Sequence, residues 1–508
     1  MPEQPISRTA RSVTPDELAT HGAQLLNDGF RLALVAAHDD GPQLRVVYLF
    51  LNGQPDRRVE LTVTLPSGNP TIPSLAALSY PASRFERELH DLFGIVPAGH
   101  PMPRRLVRHA HWPAGWHPLR SGAGVAAPFA NVERFPFVTV DGDGVYEIPV
   151  GPVHAGMIEP GHFRFSVVGE TILKLKARQY FTHRGIEGLF TGLDPVRDHR
   201  AVELAERISG DTSVGHCLAH CLAVEEALAL ALPPPAGQLR ALLLELERLY
   251  NNVTDLGALA GDVGFALAQS HAGRIREHLL RINQTVTGHR LLRGAIRPGW
   301  VGLRELPDVR QLAALALDLA DLAAATLAKS VVHERFSGTA VLRHRQALDL
   351  GCLGPVARAS GLNGDARVDH PFTPLDIRPV TATGGDVLAR YTVRRDEAAQ
   401  SIALITEIAG RVTALSYQSR NPTGARPAPR TSATDPGRAT GVGIVEGWRG
   451  AIVHRVEIGA DGRLGRAKIV DPSWFNWPAV PVSLTDTIVP DFPLVNKSFN
   501  LSYAGNDL

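Results

Sequence analysis

The chain has 508 residues, enough for two or three domains with substantial cores. Its 52 Lys and Arg nearly cancel its 51 Asp and Glu, leaving a net charge of +1 and none of the basic footprint that nucleic-acid binding requires. The three cysteines, Cys217, Cys221 and Cys352, are an odd set without secretion signals and without any Cys-x-x-Cys pair, which argues against a disulfide framework.

Met1 to Thr20 is polar and mixed in charge, unlike the basic start and apolar run of a signal peptide. Arg31 to Ala37, Leu44 to Leu51 and Val59 to Leu65 alternate apolar and polar residues between turns, which predicts strands of a small antiparallel sheet. The uncharged run Leu61 to Ser83 is broken by Pro66, Pro70, Pro73 and Pro81, so it cannot be one spanning helix. A helix is predicted from about Ser83 to Phe93, followed by Pro- and Trp-rich sequence near Trp112 to Leu119. Ser121 to Pro128 is built of small residues with Gly and Pro, and it marks a linker and domain boundary.

Beyond it the pattern is helical. Asp198 to Leu232, Gln238 to Leu259, Gly273 to Thr287, Asp308 to Arg335 and Asp396 to Val412 carry apolar residues at three- and four-residue intervals, as bundle helices do. Asp318 and Asp321 interrupt the most apolar of these, Leu312 to Ala328, which therefore reads as a buried helix. After a Pro/Thr-rich loop, Pro422 to Arg438, the pattern turns to strands at Gly441 to Val445, Ala451 to Ile458 and Arg466 to Val470. We expect a chain that is soluble by itself and cytoplasmic, able to dock onto a membrane partner.

Two groups of motifs stand out. The first is Phe85-Glu-Arg-Glu-Leu-His-Asp-Leu-Phe-Gly-Ile95, leading to Gly99-His-Pro101 and Arg104-Arg-Leu106. Taken alone it is an amphipathic helix with a charged, solvated face, closed by Gly94. The combined string resembles the signature of the 30 kDa subunit of respiratory complex I, which implies a docking module that does no chemistry. The second group opens with Gly151-Pro-Val-His-Ala-Gly-Met-Ile-Glu-Pro-Gly-His-Phe-Arg164 and continues to His183-Arg-Gly-Ile-Glu187. It resembles the start of the complex I 49 kDa subunit and of membrane-bound hydrogenase large subunits. Gly354 to Gly361 with Asp365, Arg367 and Asp369, then Arg390, Arg394 and Glu397, and Glu446-Gly-Trp-Arg-Gly450, extend the resemblance, as does the hydrogenase-4-like tail Asp491 to Leu508.

The resemblance implies an α+β chain: a small α/β docking domain over residues 1–120, a linker over 121–144, and a large, mainly helical hydrogenase-type domain over 145–508 with a small β element near its end. It assigns Glu159 to the glutamate that hydrogenases use as a proton gate. Glu187 matches a glutamate that binds magnesium in some of them. Bland readings stand beside both: a cap or turn carboxylate for Glu159, and a buried ion pair with an arginine such as Arg184 for Glu187.

The same resemblance implies two Cys-x-x-Cys pairs, because four soft thiolates hold a nickel–iron centre. Ser209 and Thr212 stand at the first pair, Ser473 and Asn476 at the second, and Ala479 replaces the histidine that follows. Neutral Ser, Thr and Asn side chains cannot replace thiolates, so a nickel–iron centre, hydrogen turnover and C-terminal processing are expected to be absent. His216-Cys-Leu-Ala-His-Cys221 offers i,i+4 pairs that can chelate a metal, but the same stretch is a packing helix behind the loop in the family.

In complex I this region became the end of a quinone cavity beside a small iron–sulfur subunit. His154, Glu159, His162, His183, Arg184, Glu187 and Asp211 are the groups suited to redistribute protons there. Where quinone-binding relatives carry Thr-His-Gly, this chain has Met157-Ile-Glu159. The implied partners are a 20 kDa-like small iron–sulfur subunit, a ferredoxin-like iron–sulfur subunit and antiporter-like membrane subunits, on the cytoplasmic face of the inner membrane. The function expected is an electron-transfer subunit of a hydrogenase-4-like or complex I-like oxidoreductase. A non-redox scaffold of an ion-translocating complex is the alternative. No Gly-x-Gly-x-x-Gly fingerprint after a strand points to NAD.

Overall fold

The structure is a computed structural model that describes residues 7–113, 115–125, 128, 135–155, 158–412 and 437–508. The loop Pro422 to Arg438 therefore lies almost wholly outside the described residues, as do Met157 and part of the linker.

The predicted N-terminal strands form as Arg31–Asp39, Gln43–Asn52 and Arg57–Pro66, paired antiparallel in that order. A fourth strand, Ser7–Ser12, adds in parallel beside Arg57–Pro66, and a helix, Pro15–Asn27, follows it. Reading Met1 to Thr20 as merely polar missed both. The helix start was legible in Thr14 and Glu17, which form a capping box ahead of Pro15. Helix Tyr80–Phe93 packs against the same sheet and ends at Gly94 in the left-handed conformation, φ 73°.

A three-stranded antiparallel sheet then forms from Val145–Val150, His162–Val168 and Thr171–Arg178, a region where no strands were predicted. The predicted helices follow, with two divided. Asp198 to Leu232 becomes His199–Ala205 and Ser213–Leu228, separated by the loop that holds Ser209 to Thr212. Asp308 to Arg335 becomes Val309–Leu327 and Ser330–Phe336, bent by 81°. The long helices Pro234–Asp262, Ala266–Thr287 and Val387–Arg411 bury their apolar stripes in one large core. Among the described residues no single helix is long and apolar enough to cross a membrane.

The last sheet, Ala439–Gly447, Gly450–Ile458 and Leu464–Val470, is buried on both faces. Val442, Ile444, Ala451 and Val453 join the core under the N-terminal sheet, whereas Val445, Ile452, Val456 and Ile458 join the helical core. Period-2 alternation thus serves two cores at once. The strand Ala439–Gly447 lies directly on helix Ser213–Leu228. A Cβ on Gly443 would enter the van der Waals shell of the Ala219 carbonyl oxygen. Backbone cannot yield as a side-chain tip can, so Gly443→Ala is expected to destabilise the chain by about 2–3 kcal/mol, read as a lowered thermal midpoint.

Candidate functional site

The charged residues of helix Tyr80–Phe93 do not form a solvated face, contrary to the amphipathic reading: Arg84, Glu86, Glu88 and Asp91 are all buried. Each has a structural partner. Glu86 accepts from the Leu75 amide at 2.6 Å and from the Ser74 hydroxyl, fixing the loop ahead of the helix. Asp91 collects the amides of Leu106, Val107 and Arg108 at 2.7–3.1 Å. Arg84 donates to the Trp474 carbonyl and, at 3.0 Å, to Asn506 Oδ1. Glu88 receives both its bonds from Lys468 Nζ, at 2.7 and 2.8 Å. The motif is therefore a clamp onto the strand Leu464–Val470 and the C-terminal segment. Each of the four buried charged side chains is held by hydrogen bonds, as burial demands, although Asp91 Oδ1 accepts none.

That clamp decides the setting of Glu187. Its carboxylate takes Arg466 at 2.6 Å, Lys468 at 3.1 Å and the Ile469 amide at 3.0 Å. Burial pushes its pKa up, but Arg466 and Lys468 override this and hold it at about 2. The expected ion-pair reading holds in kind, with Arg466 and Lys468 in place of Arg184. Arg184 instead spends its guanidinium on carbonyls, including Ile208 at 2.8 Å and Ala504 at 3.1 Å. His183 lies 2.7 Å from the Asp507 carbonyl through Nδ1, and burial lowers its pKa. A cavity of about 40 Å³, roughly room for two or three waters, sits between His183, Glu187, Glu88, Tyr180, Trp474 and Asp507.

The second cluster surrounds the loop Ser209–Thr212. Asp211 pairs with Arg449 through two bonds, 2.7 and 2.6 Å. Arg449 overrides the effect of burial and holds the Asp211 pKa at about 2. Ser209 and Thr212 each donate to Asp211 Oδ1 at 3.0 Å. Thr212 also accepts from Trp448 Nε1 at 3.1 Å and from Arg449 at 3.3 Å. Ser502 joins the loop of Ser209 to the segment of Ser473. Its hydroxyl is 2.8 Å from that of Ser209, and its amide donates to Ser473 Oγ at 2.9 Å. Glu159 reaches the same place, accepting from the Tyr503 and Ala504 amides at 3.2 and 3.3 Å. Burial of its carboxylate raises its pKa, and the charge on Asp211 adds to the rise. Its outer edge stays exposed, beside the exposed Ile158 and Val153.

Not every sequence-derived candidate enters this cluster. Asn476 turns away and holds Leu353 at both its amide, 2.9 Å, and its carbonyl, 3.1 Å. His154 and His162 brace the turn of the preceding hairpin through the carbonyls of Gly161, 2.9 Å, and Gly151, 3.1 Å. His216 and His220 lie on one helix, and both rings pack against His454, at centroid distances of 5.4 and 6.2 Å. His216 spans Asp471 at 3.0 Å and His454 at 3.1 Å, whereas His220 packs on Phe190. Among the described residues no set of three or more His, Cys, Asp or Glu is arranged to hold a metal ion.

Sequence reasoning gave no role to Arg449, Ser502 or Asp471. Arg449 was visible within Glu446-Gly-Trp-Arg-Gly450, but its partner lies 238 residues away. Ser502 carries no sequence signal at all.

Comparison with known proteins yields two family matches: residues 12–127 match the respiratory-chain NADH dehydrogenase 30 Kd subunit, and residues 262–507 match its 49 Kd subunit. Formate hydrogenlyase subunit 5 of Escherichia coli (strain K12) is 29% identical over 462 residues, covering 88% of this chain and 79% of the relative. Hydrogenase-4 component G of the same organism is 30% identical over 439 residues, covering 83% and 73%. A chain from the membrane-bound sulfane sulfur reductase, an archaeal respiratory membrane complex, shares the fold with a TM-score of 0.61 at 23% identity, over 72% of this chain and 99% of that one.

Proposed function

The chain belongs to the family of formate hydrogenlyase subunit 5 and hydrogenase-4 component G, with 30 kDa-type and 49 kDa-type respiratory segments in one polypeptide, and on that premise we propose that it is the redox-cavity subunit of a membrane-associated, hydrogenase-4-like or complex I-like oxidoreductase that works without a nickel–iron centre. In this reading residues 1–120 dock, 121–144 link, and 145–508 form the cavity. A small iron–sulfur subunit completes that cavity on the cytoplasmic side of the membrane. A ferredoxin-like subunit and antiporter-like membrane subunits are the further partners.

The observation that carries the reading is the state of the four positions where thiolates are expected. Ser209, Thr212 and Ser473 are neutral oxygens already engaged in hydrogen bonds, and Asn476 points elsewhere. The Arg449 guanidinium donates to Thr212 itself. A fixed cation at that point opposes a metal cation, and hard neutral oxygens do not suit nickel or iron. The residues present do not fit the metal centre.

What remains is a carboxylate chemistry. Asp211 is neutralised by Arg449, so Glu159, which has no ion pair among the described residues and keeps an exposed edge, is the acid of the cluster. Burial raises its affinity for a proton, which suits it to act as an acid. A quinone is the small-molecule oxidant that this reading admits. Exposed Val153 and Ile158 offer its ring an apolar contact, Glu159 and Arg184 offer polar ones, and His154 and His162 steady the hairpin beside them. A bound quinone would supply the electron-accepting chemistry.

The test is native purification from membranes, with metal analysis and identification of the subunits that accompany the chain. Iron without nickel, together with a small iron–sulfur subunit and antiporter-like subunits, is the expected result. Stoichiometric nickel on this chain would overturn the reading. Recovery with membrane subunits but no iron–sulfur protein would make it a scaffold.

A further inference from the structure

Four charged side chains, Glu88, Glu187, Arg466 and Lys468, meet between the helix Tyr80–Phe93 and the strand Leu464–Val470. Lys468 is 2% exposed. Its ammonium lies 2.7 and 2.8 Å from the two Glu88 oxygens and 3.1 Å from Glu187 Oε1. It also lies over the Phe85 and Trp474 rings, 5.9 and 5.6 Å from their centroids. One cation thus joins three segments: the helix Tyr80–Phe93, the short helix Ile186–Leu189 and the strand Leu464–Val470.

The magnesium that the resemblance implies at Glu187 does not fit the residues present. Magnesium takes about six oxygens at about 2.0–2.1 Å, and calcium about six to eight at about 2.3–2.6 Å. Three carboxylate oxygens converge on the Lys468 nitrogen, and all lie at 2.7 Å or more, the spacing of hydrogen bonds. Both Glu187 oxygens are already engaged by other donors, Oε2 by Arg466 at 2.6 Å and Oε1 by the Ile469 amide at 3.0 Å. Asp507 lines the adjoining cavity but turns its own oxygens to Thr182 and Asn506.

Charge gives the same answer. Two carboxylates face two cations. A divalent ion added to that balance would leave two uncompensated positive charges in the core, which is costly. The two acids do not share the cations evenly. Glu187 has Arg466 as well as Lys468, whereas Glu88 is paired with Lys468 alone among the described residues. Burial raises the Glu88 pKa, Lys468 opposes that rise, and the charge on Glu187 adds to it.

We propose that Lys468 is the built-in cation of this site: its ammonium takes the place of a divalent ion at Glu187 and locks the helix Tyr80–Phe93 onto the C-terminal sheet without a metal. The lock is written into the sequence and is independent of the divalent-ion concentration around the protein. It does not depend on whether the neighbouring cluster handles electrons or protons.

Thermal midpoints of the full chain test this, measured with EDTA and with magnesium, calcium or manganese added. An ion that bound the folded chain would raise the midpoint by mass action, so the native value is expected to stay within about 1 °C under all these conditions. Lys468→Met keeps an apolar stem but removes the charge, and should lower the midpoint by at least about 5 °C. Adding Glu88→Gln to Lys468→Met should return at least about half of that loss, because Glu88 is the acid left without a cation. A native midpoint that falls in EDTA or rises with a divalent ion would overturn the proposal. So would a Lys468→Met loss that Glu88→Gln deepens, or a Lys468→Met chain with a native midpoint. Should Lys468→Met not fold, the double variant decides: a soluble, folded chain supports the lock and an insoluble one overturns it.

Discussion

Arg358→Met is expected to lower the thermal midpoint by at least about 5 °C, or to leave the chain insoluble, although no candidate site residue is touched. Arg358 is 0% exposed and sits among carboxylates. It gives Glu397 two bonds, 2.6 and 2.9 Å, and Glu446 one of 2.8 Å, and it lies 3.7 Å from Asp365. Arg248 shares Glu397 at 2.9 Å, and Arg367 joins Asp365 to Glu245. Methionine fills the volume but removes the charge, leaving Glu446 with no ion pair among the described residues and Glu397 with Arg248 alone. Breaking a buried pair in this way costs about 3–5 kcal/mol, a large part of the roughly 5–15 kcal/mol that holds a domain folded. Arg358→Lys should recover part of the loss, because it keeps the charge without the planar fork. Arg345→Ala is the control. Arg345 pairs with Asp349 at the surface with 79% of its side chain exposed, and its removal should fall within about 0.5 kcal/mol. A native midpoint for Arg358→Met would show that the network does not support the fold.

Glu159→Gln is expected to lower proton-coupled turnover of the assembled complex at least about tenfold while the subunits still co-purify. Glutamine keeps the shape and one amide acceptor but cannot carry the proton. A pH series adds a readout that a merely structural role would not move. Burial raises the folded-state pKa of Glu159 above its unfolded value. The folded chain therefore binds this proton more tightly than the unfolded chain does. The stability this contributes is complete below the unfolded pKa and is lost as pH rises through the folded one. Glu159→Gln should flatten both that dependence and the matching limb of the turnover profile. Unchanged turnover with normal assembly would remove Glu159 from the mechanism and leave its bonds to Tyr503 and Ala504 as a cap.

Much of the architecture was legible because its signals are local. Helical periodicity found the long helices, although Ala266–Thr287 and Val387–Arg411 begin well before their predicted starts at Gly273 and Asp396, and alternation found three of the four strands of the first sheet and all three of the last. The three strands from Val145 onward escaped notice because their pairing is set by one another, with His154 and His162 holding the first of the two turns. The charged face of Tyr80–Phe93 was misjudged for a related reason. Glu88 looks solvent-facing until Lys468 arrives from 380 residues away.

The sequence by itself determined which chemistries are available. Four positions hold Ser, Thr, Ser and Asn where thiolates are expected, and no fold can turn them into soft ligands. It also supplied the carboxylates Glu159, Glu187 and Asp211. Only the tertiary structure decided which of these is free to act. Glu187 and Asp211 are each neutralised by basic residues more than 200 positions away, Arg466 and Arg449, whereas Glu159 receives backbone amides and, among the described residues, no ion pair. A carboxylate's proton affinity depends on burial and on charges within a few ångströms. Those are properties of the packed chain, and a residue's neighbours in sequence do not record them.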